Sequence, residues 1–229
     1  MLQAFGDEIW IADGPVATVA GFVYPTRMAV IRLSGGLFIW SPTALTDAVR
    51  AEVEALGRVR WLVAPNALHH LHLAAWRDAF PQAQMFAPPG LRKRRPDLSF
   101  DGDLGDASDP AWADEIDQVV VCGNAITSEV VFFHRRSRTA IFTDLIQNFP
   151  PGWFRGVRAV IAWLDLMTAP EPETPRKFRI AFLDRRAARA ALRRILAWPT
   201  ERVLMAHAPP VTADGQAFIA KRFRWLRVP

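Results

Sequence analysis

The sequence contains a single cysteine, Cys122, among its 229 residues, and a single tyrosine beside nine tryptophans. One thiol cannot form an internal disulfide, and it excludes a zinc site built on several cysteine ligands. Because disulfides belong to oxidising compartments, their absence leads us to expect a cytoplasmic protein. The tryptophans and the 15 phenylalanines supply apolar bulk, most of which we assign to the core.

Long hydrophobic runs and several familiar motifs are also missing. No apolar stretch reaches the roughly 18 residues of a membrane helix, and the first residues lack the basic and apolar regions of a signal peptide. The glycine-rich patterns of nucleotide-binding loops and the Gly-x-Ser-x-Gly pattern of serine hydrolases are absent as well. We therefore expect no membrane among the partners of this chain.

The overall composition is that of an ordinary globular protein. Apolar residues make up 51% of the chain and charged residues 22%, which excludes wholesale disorder. The length allows one large domain or two small ones. The net charge of +5 is compatible with anionic partners but does not require them.

Apolar patterns along the chain predict a layered α/β organisation, since strands and helices follow one another in both halves. Strands are predicted within 8–41 and at 59–64, 84–87, 119–122, 129–133, 139–143 and 203–206. Helices are predicted after a cap at Thr43 or Thr46, around 73–80, and at 185–197 and 218–225. Segment 157–164 fits a strand or a helix, and 90–116 fits a loop or hairpin insert.

The histidines are the most informative feature, because three of the five lie within four positions. His69, His70 and His72 follow the apolar strand 59–64, His207 follows the strand 203–206, and Asp144 ends the strand 139–143. Strand ends are where layered α/β folds build their sites. Imidazole and carboxylate groups are ligands for zinc, iron or manganese, and a bound metal lowers the pKa of water to roughly 7.

Other readings of these residues stay open. A histidine at a strand end is most often a hydrogen-bonded structural residue, so the cluster is also compatible with a polar network that binds no metal. The roles of His72 and His134 are not decided by their positions. Basic groups at 92–95, along the predicted helix at 185–197 and near the C-terminus would favour an anionic partner such as nucleic acid only if they shared one face.

The segment 59–89 resembles the metal-binding segment of the metallo-β-lactamase superfamily. That family has a strand, a His-x-His-x-Asp-His motif, a helix and a Phe-Pro-x-Ala turn, and Phe80-Pro81-Gln82-Ala83 stands where this turn is expected. The later landmarks are similar too. They are the segment 122–128, the strand ending Phe142-Thr143-Asp144, and the strand ending Met205-Ala206-His207.

More closely, the chain resembles the DUF4336 group, which is regarded as distantly metallo-β-lactamase-like. The residues that carry this resemblance are Trp40-Ser41-Pro42, Ala64-Pro65-Asn66, His69-His70, Phe132-Phe133-His134, Ser137-Arg138-Thr139 and Thr143-Asp144. The resemblance implies one domain over residues 1–229. It also implies a four-layered αββα sandwich, in which two mixed β-sheets face each other and helices lie outside.

The motif residues depart from the superfamily pattern at one of its two metal positions. Pro65, Ala67 and Asn124 replace the three histidines of the first position, so the resemblance implies that this position is lost. The second position maps onto four residues that can all bind metal: His69, His70, Asp144 and His207. We therefore expect at most one divalent ion, zinc first and iron or manganese otherwise, with Asp144 as a ligand or as the base that orients water.

These observations lead to one hypothesis and two rivals. The hypothesis is a metal-dependent hydrolase-like protein with a single metal and an unknown small-molecule substrate. The rivals are a non-catalytic scaffold of the same fold and a basic binding module for nucleic acid or another anionic partner. We do not expect nucleic acid as a partner, and a homodimer stays open.

Overall fold

The computed structural model describes residues 1–227 and places eleven strands in two sheets. The predicted domain reaches position 229, and its last two residues lie outside the described part. The first sheet has seven strands, paired in the order of the sequence. They are β1 (Gln3–Gly6), β2 (Ile9–Val19), β3 (Phe22–Leu33), β4 (Gly36–Trp40), β5 (Val59–Val63), β6 (Gln84–Ala87) and β7 (Gly102–Asp103).

The first sheet is mixed because its two halves are connected differently. Strands β1 to β4 are joined by short turns and pair antiparallel. Strands β4 to β7 pair in parallel, since helical connections return the chain to the same edge. The predicted insert at 90–116 contains β7 and a one-turn helix, so part of it extends this sheet.

The second sheet has four strands in the order β11-β10-β9-β8. They are β8 (Ile116–Val121), β9 (Glu129–His134), β10 (Thr139–Gln147) and β11 (Arg202–His207). Strands β8, β9 and β10 form an antiparallel meander, and β11 lies parallel to β10. The carboxyl ends of β10 and β11 therefore lie at the same edge, where Asp144 and His207 were expected to meet.

A core of large apolar side chains fills the space between the sheets. Phe38 and Trp61 of the first sheet meet Phe132 and Leu204 of the second, and all are almost fully buried. Separate apolar clusters cover the outer faces, where helices pack against each sheet. The expected four-layered αββα sandwich is thus confirmed.

Within residues 1–227, seven α-helices connect or cover the strands, and a short 3-10 helix follows at Arg224–Leu226. The α-helices are α1 (Asp47–Leu56), α2 (Leu73–Ala79), α3 (Leu91–Arg94), α4 (Val157–Leu164), α5 (Arg176–Ala181), α6 (Arg185–Leu196) and α7 (Gly215–Arg222). Thr46 caps α1 by accepting a hydrogen bond from the Val49 amide, and Gly57 follows its last turn. Asp184 caps α6 in the same way. Among residues 1–227 no helix is long and apolar enough to cross a bilayer.

Candidate metal centre

Three side chains converge at the edge where β5, β10 and β11 end. His69 lies in the loop after β5, Asp144 near the end of β10, and His207 at the end of β11. The two histidine Nε2 atoms are 3.2 Å apart, and each lies 3.4 Å from one carboxylate oxygen of Asp144. One ligand atom from each residue lies within 4.8 Å of the others, so a single ion can reach all three.

The ring of His207 is held in a fixed orientation. Its Nδ1 donates to the backbone oxygen of Pro25 over 2.9 Å, because a carbonyl can only accept. This bond places the proton on Nδ1 and leaves a lone pair on Nε2, the atom that faces Asp144. Burial lowers the pKa of His207 against the opposing effect of Asp144, so the ring is neutral near pH 7.

Strand β3 is what brings Pro25 to this histidine. The Arg27 guanidinium reaches across from the first sheet and donates to the backbone oxygens of Met205 and Ala208, at 2.8 and 2.7 Å. These bonds attach β3 to the chain on both sides of His207. The second sheet therefore supplies the ligand, and the first sheet orients it.

His69 is oriented by two neighbours of its own. Its Nδ1 lies 2.9 Å from the hydroxyl of Ser41, which directly follows β4. The side-chain oxygen of Asn66 accepts the backbone amides of Leu68 and His69 at 2.9 and 3.2 Å, and this fixes the turn that carries the ring. Ser41 has a φ of 50°, a left-handed conformation that costs energy in a non-glycine residue.

Asp144 is held as an ionised, buried carboxylate. Asn66 donates to one oxygen over 2.7 Å, and Gln147 donates to the other over 3.3 Å. Burial alone would raise the pKa of Asp144, but the facing rings of His69 and His207 hold this pKa well below its usual value. Asn66 thus supports both a histidine and the carboxylate.

A second buried carboxyl, Glu129, supports the backbone around Asp144. Regular pairing of β10 with β9 ends at Ile141, so the next amides of β10 need other partners. The carboxyl of Glu129 accepts the amides of Thr143, Asp144 and Leu145 at 2.7, 2.7 and 3.1 Å. Burial and the nearby Asp144 raise the pKa of Glu129 to about 8, against the lowering effect of these bonds.

The donor set fits a divalent cation. The lone pair of His207 Nε2 and the ionised carboxylate of Asp144 are both acceptors, yet they face each other at 3.4 Å. Such a pair repels unless a proton or a metal ion lies between the two atoms. Two imidazole nitrogens and one carboxylate oxygen are a set that zinc and other first-row metals accept.

The structure does not bring His70 into this group, and the four-ligand set expected from the resemblance stays a prediction. The Nδ1 atom of His70 lies 3.0 Å from the Arg95 guanidinium, which also donates to its backbone oxygen. Consecutive residues of the loop point to different sides, so only His69 faces Asp144. Burial and the Arg95 charge lower the pKa of His70.

The other residues singled out in the sequence lie apart from the cluster. His72 precedes α2, and Asn124 holds a loop by donating to Phe178 and accepting from the amide of Ile126. His134 is fully buried at the far end of β9 and bonds to Ser137. In residues 1–227, one group of three potential ligands has its ligand atoms within 4.8 Å of one another, and it consists of His69, Asp144 and His207.

A cavity of about 870 Å³ opens directly above the three ligands. The hairpin of β2 and β3, the loop after β5, and the helices α4 and α5 form its walls. Most of the lining surface is apolar. Besides the cluster itself, the charged residues of the lining are Arg94, Asp165, Arg176 and Lys177, and the polar ones are Tyr24, Thr26, Ser41, His70, His72 and Gln147. The geometry is that of a binding site: a largely apolar chamber with a few convergent polar groups at its base.

Several residues that position the ligands were not identified from the sequence as functional. These are Pro25, Ser41, Asn66, Glu129 and Gln147. The carboxyl of Glu129 was the most visible of them, because it opens an otherwise apolar strand. The orientation that Pro25 supplies depends on how the two sheets meet, and no local pattern indicates it.

Comparison with protein families gives one match. Residues 6–158 match the family described as a domain of unknown function, DUF4336. This is more than half of the chain, and it includes His69 and Asp144 but not His207. No curated protein matches the sequence at a significant level.

Solved structures of the metallo-β-lactamase fold match over the whole chain. A metallo-β-lactamase from Pontibacter korlensis superposes with a TM-score of 0.65 at 11% identity, covering 100% of this chain and 99% of its own. The metallo-β-lactamase FIM-1 from Pseudomonas aeruginosa in its mono-zinc form gives 0.64 at 13%, covering 100% and 96%. A metal-soaked flavodiiron core from Synechocystis gives 0.66 at 13%, covering 99% and 60%. At these identities the similarity establishes the fold alone.

Proposed function

Because the chain belongs to the DUF4336 family and has the metallo-β-lactamase fold, we propose that it is a metal-dependent hydrolase with one divalent ion. His69, Asp144 and His207 would hold the ion, and zinc is the first choice for this donor set. A cytoplasmic location belongs to the same proposal, and it rests on the scarcity of cysteine.

One observation carries this proposal. The three ligand atoms lie within 4.8 Å of one another at the base of a cavity, and each residue is held there by at least one further hydrogen bond. A polar network that only stabilises the fold would have no reason to open onto a chamber of this size. Ligands that are oriented in advance by a surrounding set of bonds are typical of metal sites.

The chemistry divides between the ion and the chain. When bound, a divalent ion supplies Lewis acidity, which polarises a scissile bond and lowers the pKa of water. The Nδ1 atoms of His69 and His207 are engaged elsewhere, so their Nε2 atoms face the site, and Asp144 supplies the negative charge. The apolar walls limit access of bulk water to the ligands, which strengthens electrostatic interactions inside.

The cavity favours a substrate with a substantial apolar part. Its walls bind hydrocarbon better than charged groups. Arg94 and Arg176 add positive charge to the lining, whereas Lys177 forms a salt bridge with Asp165. We therefore propose an ester, amide or phosphoester in which an apolar group lies next to the scissile bond. Nucleic acid is too large for this chamber, so we do not propose it as the substrate.

Hydrolysis of p-nitrophenyl esters of increasing acyl chain length by zinc-loaded protein tests this proposal. We expect turnover that requires metal, that increases from acetyl to medium-length chains, and that is lost in Asp144→Asn and His207→Ala. His134→Gln is the matched control, because its ring is buried away from the cavity, and it should keep the activity. Metal binding without turnover of esters, amides or phosphoesters would instead favour the non-catalytic scaffold.

A further inference from the structure

The helix α4 is unusual because it turns apolar side chains towards solvent. Of its eight residues, Ala162 is the buried one, whereas Val157, Val160 and Trp163 are 70%, 56% and 67% exposed. Soluble proteins rarely leave a contiguous apolar surface of this kind without a partner. We call these three residues the α4 face.

The α4 face continues into the entrance of the cavity. Six apolar side chains that line the cavity are also at least 45% exposed, and they come from five different parts of the chain. We call them the apolar rim: Val19, Leu71, Ile126, Ile161, Leu164 and Ile180. The six residues line one cavity, and Ile161 and Leu164 lie on α4, so the rim adjoins the α4 face along this helix.

Positive charges accompany this surface. Arg155 and Arg158 flank the start of α4, and the Arg158 guanidinium lies beside Gly21 at the tip of the β2–β3 hairpin. Arg176 lines the cavity and donates to the backbone oxygen of Leu164. In the described part of the chain, none of the three forms a salt bridge, although most other arginines do.

We propose that the α4 face, the apolar rim and these arginines form a docking surface for an anionic lipid bilayer. An exposed tryptophan and aliphatic side chains flanked by arginine are the composition of helices that lie in a membrane interface. Docking in this orientation places the cavity entrance against the lipid. The lack of an apolar run long enough for a membrane helix, which led us to expect no membrane partner, does not bear on contact at the surface.

A second copy of the chain fits this surface less well. A two-fold dimer would bring the same patch of both copies together, and Arg155 and Arg158 of one copy would approach the same arginines of the other. Such like charges repel, and the carboxylate next to α4, Asp165, is already paired with Lys177. Anionic headgroups provide the complementary charge, worth about a fivefold gain in binding for each arginine near the membrane.

Vesicle co-sedimentation tests this proposal with the intact protein and without added metal. We expect binding to vesicles of phosphatidylcholine mixed with phosphatidylglycerol, and weaker binding to phosphatidylcholine alone. Trp163→Glu should reduce binding about tenfold or more, whereas Trp163→Phe should keep most of it, because the ring buries apolar area in the interface. Because Trp163 is 67% exposed, neither substitution should disturb the fold, and circular dichroism of both variants should match the wild type.

A matched pair of charge variants separates surface docking from a general effect of charge. Arg158→Glu should reduce binding by at least about fivefold. Arg193→Glu, an exposed position on the last turn of α6, should leave it nearly unchanged. Absent binding, equal loss in both variants, or a dimer in light scattering that Trp163→Glu dissociates would overturn the proposal. None of these results would affect the metal proposal, since the assay contains no metal and no substrate.

Discussion

Two clusters of polar side chains that contain histidine lie at opposite ends of β10 and have different environments. Beside the start of β10, His134 of β9 bonds through Nδ1 to Ser137 over 2.7 Å, and its Nε2 is buried without a partner. Near the other end, His69 and His207 are also bonded through Nδ1, but their Nε2 atoms face each other, Asp144 and a cavity.

The difference shows what distinguishes a candidate ligand from a structural histidine in the same fold. Burial and an oriented ring are common to both clusters. A carboxylate aimed at the second nitrogen, and space for a ligand beside it, are found only at the cavity end. His134 has no such partner for its charged form. Burial lowers its pKa to about 4, so protonating the ring in the folded protein costs free energy.

The largest expected effect is on metal affinity at the cavity end. Replacing His207 or His69 by alanine should weaken zinc binding about a thousandfold, roughly 4 kcal/mol, since a structural zinc ion gains about that much from each ligand. His134→Gln should leave zinc affinity unchanged. Isothermal titration of the three variants checks this, and equal losses in all three would show that the clusters do not differ.

The next effect concerns stability in acid at the His134 end. The pKa of His134 is about 4 in the folded protein and 6.5 in the unfolded chain, so the unfolded state takes up the proton first as pH falls. This contribution to stability is complete above about pH 6.5 and is lost between about pH 6.5 and pH 4. It amounts to about 3 kcal/mol for a shift of this size. Urea unfolding should show that the free energy of unfolding falls less between about pH 6.5 and pH 4 in His134→Gln than in the wild type.

A smaller effect should separate the two serines that orient the rings. Ser41→Ala removes the partner of His69 and should weaken zinc binding about tenfold, the lower end of the effect of such supporting groups. Ser137→Ala makes the same change beside His134, and zinc affinity should stay within about twofold of the original. Similar losses in the two variants would mean that the hydroxyls act through general stability.

The smallest effect is expected at His70. His70→Ala removes a contact with Arg95 and no ligand, so zinc affinity should change by less than about threefold. Titration of this variant beside His69→Ala compares two adjacent histidines in one loop. A loss at His70 as large as that at His69 would restore the four-ligand set expected from the motif.

Much of the fold could be predicted because its signals are local. Thr46 and Gly57 bound α1, Asp184 begins α6, and the apolar runs of β8 to β10 are found where the patterns indicated. Segment 157–164 could not be assigned because seven of its eight residues are apolar and three of these are β-branched, a composition that suits a buried strand as well as a helix.

The candidate site could be predicted in part, for a related reason. The order of the elements predicts that His69, Asp144 and His207 lie at or just after strand ends. The parallel pairing of β10 and β11 then brings Asp144 and His207 together. The choice between His69 and His70 depends on the loop conformation that Asn66 sets, and this conformation is not a property of the motif. Supporting residues such as Pro25 and Glu129 lie far away in sequence, so only the packing of the two sheets reveals them.

The most direct measurement is the zinc content of the dialysed protein after incubation with zinc, compared with the His69→Ala/His207→Ala double variant. The account predicts about one equivalent in the wild-type chain, with X-ray absorption showing two nitrogen ligands from imidazole and at least one oxygen ligand. It also predicts nearly none in the double variant. A wild-type chain without zinc, or a double variant that keeps its full equivalent, would contradict the assignment of these residues as a metal centre.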